Sequence, residues 1–242
     1  MLEPTTMAAS GLNQYEFGSA VEAAGALAQA IAQHLQAAIA ARGRASLVVS
    51  GGRSPVPLFE ALRRCPLAWD RVWVTLADER WVEPTSSASN EKLLRDHLLL
   101  GAAAAAHFVG LKSAHVQPGQ ALDDRSVALD ALPRPYDVVV LGMGDDGHIA
   151  SLFPEAEGLV AALDPQGSAR LAAIVPPAAP HPRISQTLAA LLNARQIFLL
   201  LAGADKRARF AEALAGAAPT DLPIAAVLGQ SRVPVAVYWS AP

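Results

Sequence analysis

The chain has 242 residues and a formal net charge of −3, with 19 Lys or Arg against 22 Asp or Glu and a single cysteine. That length allows one large α/β domain or two small ones, and the scattered cations form no basic stripe, which argues against a nucleic-acid partner. Cys65 cannot close an internal disulfide and fits a reducing cytoplasm, where a small buried thiol is its expected role.

The opening MLEPTTMAAS lacks the basic and apolar regions of a signal peptide, so no export is expected. Ser19 with Glu22 three positions on forms a capping-box pattern that opens an alanine-rich helix, which Gly43 can close. Glu22, Gln29, Gln33 and His34 interrupt this stretch, as Asn193, Arg195 and Gln196 interrupt residues 188–201, so neither should span a bilayer and no membrane partner is expected.

Strands are then predicted at 45–49, 71–77, 137–141, 171–175, 196–201 and 233–239, with a weaker one at 107–111. Helices are predicted at 56–64, 89–100, 121–132, 183–193 and 205–214. Their alternation implies a Rossmann-like α/β fold, a mostly parallel sheet flanked by helices on both faces. No linker or composition shift divides the chain, so residues 1–242 read as one domain; Pro176 to Pro182 reads as a loop leading to a site.

The strand ends carry the chemistry. Ser50-Gly51-Gly52-Arg53-Ser54-Pro55 follows the first of these strands and leads into a helix with prolines in its first turn, a pattern suited to phosphate. An ordinary strand-to-helix turn has the same composition, and no Walker lysine is present. Asp78-Glu79-Arg80-Trp81 ends the next strand, either as a site or as a loop salt bridge, and residues 83–90 form a polar loop. Strand 137–141 runs into Gly142-Met143-Gly144-Asp145-Asp146-Gly147-His148, where glycines let the backbone turn sharply and approach a ligand. Arg183 at a helix start and Lys206 after a strand add cations that, taken singly, would read as surface charges.

Gly142 to Gly147 also satisfies GxGxxG, but Pro154 follows too soon for the required helix, and Asp145 and Asp146 would repel a pyrophosphate. There is no GxSxG elbow and no HExxH, and His34, His97, His107, His115 and His181 lack metal-ligand spacing, so neither a metal nor another cofactor is expected. His148 remains as the general base, since neutral imidazole can take a proton from water at physiological pH.

Together SGGRSP (50–55), LADERWV (76–82), GMGDDGHIASLFP (142–154), RIS (183–185) and AGADKR (202–207) resemble, in order and spacing, the 6-phosphogluconolactonases of the family shared with glucosamine-6-phosphate isomerases. The resemblance covers nearly the whole chain. It implies the fold of glucosamine-6-phosphate deaminases and ribose-5-phosphate isomerases, and hydrolysis of a sugar phosphate lactone, 6-phosphogluconolactone, in the pentose phosphate pathway of the cytoplasm.

The expected catalytic residues are His148, Asp146 and Arg80. Ser50, Gly51, Gly52, Arg53, Asp78, Gly144, Arg183 and Lys206 are expected to hold substrate and its phosphate. The tetrahedral oxyanion would be stabilised either by N–H groups of the glycine turn or by Arg80, and Asp146 would either orient the imidazole or shape the turn. A monomer or small homo-oligomer is expected. The competing branch resembles deaminases, which typically continue DGHIAFNEP; Phe153 stands here where they carry an ionisable glutamate, and Arg80 where they usually carry tyrosine. Sugar-phosphate sensors of transcription regulators resemble the same fold, but no helix-turn-helix precedes the first helix.

Overall fold

Strand β1 (Leu12–Phe17) is followed by α1 (Ala20–Arg42), and the computed structural model describes residues 12–240, so the opening MLEPTTMAAS lies outside the described residues. The Ser19 hydroxyl accepts the Glu22 N–H at 3.2 Å, which is the Ser half of the expected capping box. Gly43 closes the helix with φ 74 and donates its N–H to the Ile39 carbonyl.

The chain continues through β2 (Ala45–Val49), α2 (Val56–Leu62), β3 (Val72–Leu76), β4 (Asp78–Arg80), α3 (Asn90–His97), β5 (His107–Val109), α4 (Leu122–Ala128) and β6 (Val138–Leu141). It is completed by α5 (Leu159–Ala162), β7 (Leu171–Ile174), β8 (Arg183–Gln186), α6 (Leu188–Leu191), β9 (Ile197–Ala202), α7 (Ala204–Leu214), α8 (Ile224–Leu228) and β10 (Val235–Ser240). Among the described residues no helix is long and apolar enough to cross a membrane.

Seven strands form a parallel sheet in the order β1-β10-β9-β6-β2-β3-β5. Every residue of β2 and β6 is buried, which for a strand with alternating side chains means that both faces are covered. From β2 the chain builds outward through β3 and β5; from β6 it builds the other way through β9 and β10. The order therefore reverses between β2 and β6, and the loops leaving their carboxyl ends diverge to open a crevice. At the opposite end buried Asp137 pairs with Arg42 and Arg195 and accepts the Ser46 N–H at 2.9 Å, tying α1, β2 and β6 together. Cys65 is buried, as its chemistry suggested.

Two expectations fail here. Residues 183–193 form no continuous helix: the chain runs extended through β8, and only then does Thr187 cap the short α6 by accepting the Ala190 N–H. Arg183 consequently sits on a strand rather than at a helix start. Backbone pairing decides the matter, because β8 lies between β4 and β7 in a separate antiparallel sheet, β4-β8-β7, and satisfies both neighbours. Strand 171–175 likewise belongs to this small sheet and not to the parallel one. The small sheet positions the site, since its register sets Asp78 opposite Ser185 and Arg80 opposite Arg183.

Candidate active site

At the carboxyl ends of β2 and β6 lies a cavity of about 360 Å³. Ser50, Gly51, Gly52, Asp78, Arg80, Gly144, His148, Arg183 and Lys206 all line it. Residues spread over more than 150 positions of sequence thus meet where the strand order reverses. Arg53 is exposed and is not part of the lining, while Asp146 stands behind His148.

The histidine is held in one orientation. Its Nδ1 lies 2.6 Å from Asp146 Oδ1, and its backbone N–H donates to the same oxygen at 3.1 Å. Burial pushes the Asp146 carboxyl up, but the hydrogen bonds and charge of His148 outweigh it, and the group rests below the usual carboxylate range. An ionised carboxylate can only accept, so in the neutral form of the ring Nδ1 is the nitrogen that carries the proton and Nε2 the one with the lone pair. The ring packs on Phe153, with centroids 4.1 Å apart and planes at 34°. Gly144 makes this possible: a Cβ there would stand 2.1 Å from His148 Nδ1 and 2.6 Å from Asp146 Oδ1. The turn is closed by Gly144 N–H to the His148 carbonyl at 2.9 Å and Gly147 N–H to the Gly144 carbonyl at 3.1 Å. Those two N–H groups are therefore committed within the turn.

The small sheet brings charge to the same cavity, with the Arg183 guanidinium 5.9 Å from the centroid of the Phe153 ring that packs on His148. Arg80 donates from Nη1 to the Ala88 carbonyl at 2.7 Å. Arg183 is buried, and that burial, with the like charge of Arg80, lowers its pKa against the opposing pull of Asp78 and Glu79. Its Nε finds no partner, nor does the buried hydroxyl oxygen of Ser50. A wall with unpartnered donors and adjacent like charges is suited to an anion. Lys206, in the first turn of α7, reaches the same cavity, with Asp145 4.0 Å from its Nζ.

Asp78 and Glu79 point apart, as neighbours on a strand must. Asp78 accepts the Ser151 hydroxyl at 2.5 Å within the cavity wall. Glu79, fully buried, turns away to cap the start of α3. Burial raises its pKa, the nearby Asp78 charge adds to this, and backbone hydrogen bonds from Asn90, Glu91 and Arg80 oppose it. Sequence reasoning missed Ser151 and Asn90, which also line the cavity. Ser151 stood three residues beyond His148 in a motif already singled out, and Asn90 was legible only as a polar residue at the end of a loop.

The profile of glucosamine-6-phosphate isomerases/6-phosphogluconolactonase matches residues 18–239. The chain is similar to the 6-phosphogluconolactonase of Pseudomonas putida, 47% identical over 93% of this chain and 91% of that one. It is also 44% identical to the 6-phosphogluconolactonase of Pseudomonas aeruginosa, over 95% of each chain. A crystal structure of a 6-phosphogluconolactonase from Shewanella baltica superposes with a TM-score of 0.91 at 45% identity, covering 94% of this chain and 97% of that one.

Proposed function

Because this chain belongs to the glucosamine-6-phosphate isomerase/6-phosphogluconolactonase family, we propose that it hydrolyses 6-phospho-D-glucono-1,5-lactone to 6-phosphogluconate in the oxidative pentose phosphate pathway. The observation that carries the mechanism is the His148–Asp146 pair at a cavity also lined by Arg80, Arg183 and Lys206. Arg183 and Lys206, with the backbone of the Ser50–Gly52 turn, hold the 6-phosphate, so that remote binding becomes orientation of the lactone carbonyl. Arg53 is exposed and lies outside the lining.

His148 Nε2 takes a proton from water as the oxygen attacks C1. Arg80 stabilises the tetrahedral oxyanion. As the intermediate collapses, the bond from C1 to the ring oxygen breaks, and the imidazolium returns its proton to that oxygen. The carboxylic acid formed then releases a proton to solvent. Asp146 keeps the imidazole in the tautomer this requires and stabilises its charged form. The protein works as a cytoplasmic, single-domain enzyme, monomeric or a small homo-oligomer, and needs no metal or other cofactor.

The test is acidification on adding freshly prepared lactone, with spontaneous opening subtracted. A rate equal to the spontaneous one would end the proposal.

A further inference from the structure

Among the polar groups of the cavity wall, Asn90 is set apart by the way it is held. It is the first residue of α3, is 2% exposed, and lines the cavity. Its backbone N–H donates to Glu79 Oε1 at 2.7 Å. The same carboxylate takes the Arg80 N–H at 2.7 Å, the Glu91 N–H at 2.7 Å and the Ser89 hydroxyl at 3.0 Å. Four donors converging on one buried carboxylate fix the corner between β4 and α3, and with it the position of the Asn90 side chain.

The amide is oriented too. Nδ2 donates to the Asp78 backbone carbonyl at 2.9 Å, and because a carbonyl only accepts, the NH2 end must face Asp78. Oδ1 is thereby turned elsewhere, and it has no partner. A buried acceptor left unpaired is costly, so its persistence calls for a ligand that supplies the missing donor. Gly51 makes room for this oxygen: a Cβ there would stand 1.9 Å from Asn90 Oδ1. One glycine of the turn thus serves an asparagine carbonyl, independently of any phosphate.

An amide oxygen and a phosphate oxygen are both acceptors, so Asn90 Oδ1 is not part of the phosphate anchor. The lactone ring offers donors of its own in the hydroxyls at C2, C3 and C4. We infer that Asn90 is a specificity-determining residue whose side-chain carbonyl accepts a hydrogen bond from one ring hydroxyl of the substrate. This rests on the sugar-lactone reading above. It assigns recognition of the sugar to the β4–α3 corner and leaves recognition of the phosphate with Arg183, Lys206 and the backbone of the Ser50–Gly52 turn.

Deoxy analogues test it. Wild-type protein and Asn90→Ala are compared on 6-phosphogluconolactone and on its 2-, 3- and 4-deoxy counterparts. The wild type is expected to lose about tenfold or more in kcat/KM on one of the three, the size expected when a buried acceptor is left unpaired. Asn90→Ala should be slower on the parent lactone yet show less than about threefold preference between it and that analogue, because the partner of the hydroxyl is gone. An Asn90→Ala protein that keeps the wild-type preference overturns the inference, and so does a wild type indifferent to all three deletions, a result that needs no variant to fold. If Oδ1 is satisfied by water instead, that indifference is what will be seen. Absence of turnover on the parent lactone would sink the underlying reading, whereas turnover without hydroxyl preference sinks only the role of Asn90.

Discussion

In the proposed mechanism the chemistry turns on His148, and its neighbours contribute orientation more than reactivity. His148→Ala should lower kcat by roughly 10²–10⁴ while leaving 6-phosphogluconate binding nearly intact, which single-turnover rates and calorimetry together would check. If Asp146 acts through the imidazole it touches, Asp146→Asn should lower kcat with little change in KM. Its lowered folded-state pKa also makes it a pH-linked group. The stability it contributes is present above the unfolded value near 4 and lost as pH falls through the folded one, so the variant should lose less stability than the wild type on acidification below about pH 4. Equal acid unfolding curves would remove that linkage.

For the phosphate anchor, Arg183→Ala should weaken 6-phosphogluconate by about 1.5–3 kcal/mol, the worth of a charge-assisted bond, and Arg53→Ala by clearly less, since Arg183 is buried in the lining and Arg53 lies outside it. Equal losses in calorimetry would show that the Arg53 side chain folds in on the ligand. His148 was legible from its own motif, whereas Arg183 and Lys206, surface charges when taken singly, were legible only through their joint placement with the other motifs. The rank of Arg53 was not legible, because a turn of Gly-Gly-Arg does not say which way the arginine points.

Elements place these residues, and here legibility depended on how each element is stabilised. β2 and β6 announce themselves as β-branched runs because both faces are buried. β1 was missed: LNQYEF is an edge strand paired only to β10, and its half-exposed residues form no apolar run. β8 was read as a helix because RISQTLAALLN has helical apolar spacing; its extended start exists through pairing with β4 and β7, which no local window contains. The turn after β6 yields an element-scale prediction. Gly144→Ala places a methyl where His148 Nδ1 and Asp146 Oδ1 stand, so the imidazole must leave its carboxylate. The His148 side chain is 28% exposed and has room to swing out, so the melting temperature should shift little while turnover falls towards that of His148→Ala. Near wild-type turnover would mean that the turn absorbs the methyl without moving the ring.

At the scale of the whole molecule, the parallel sheet with a site at the carboxyl ends of its strands followed from the alternation of strands and helices, whereas the strand order and the antiparallel sheet β4-β8-β7 did not, although that sheet carries Asp78, Arg80 and Arg183. The two sheets together make a cavity suited to a phosphorylated sugar, and such a cavity by itself serves either branch of the family. What separates the branches is the supply of ionisable groups around C1 and C2. Ring opening and proton transfer between carbons call for an acid or base besides the histidine, whereas water attack on an ester carbonyl needs one oriented base and an oxyanion donor. Here the residue packed against the imidazole is Phe153, which cannot exchange a proton, and Asp78 is held by Ser151 on the wall shared with Arg80. With glucosamine 6-phosphate the protein should release no ammonia above the buffer control, while 6-phosphogluconolactone should be opened well above its spontaneous rate and unphosphorylated gluconolactone poorly. Robust ammonia release would show that Asp78 or another carboxylate takes the part that Phe153 cannot, and would move the protein to the deaminase branch.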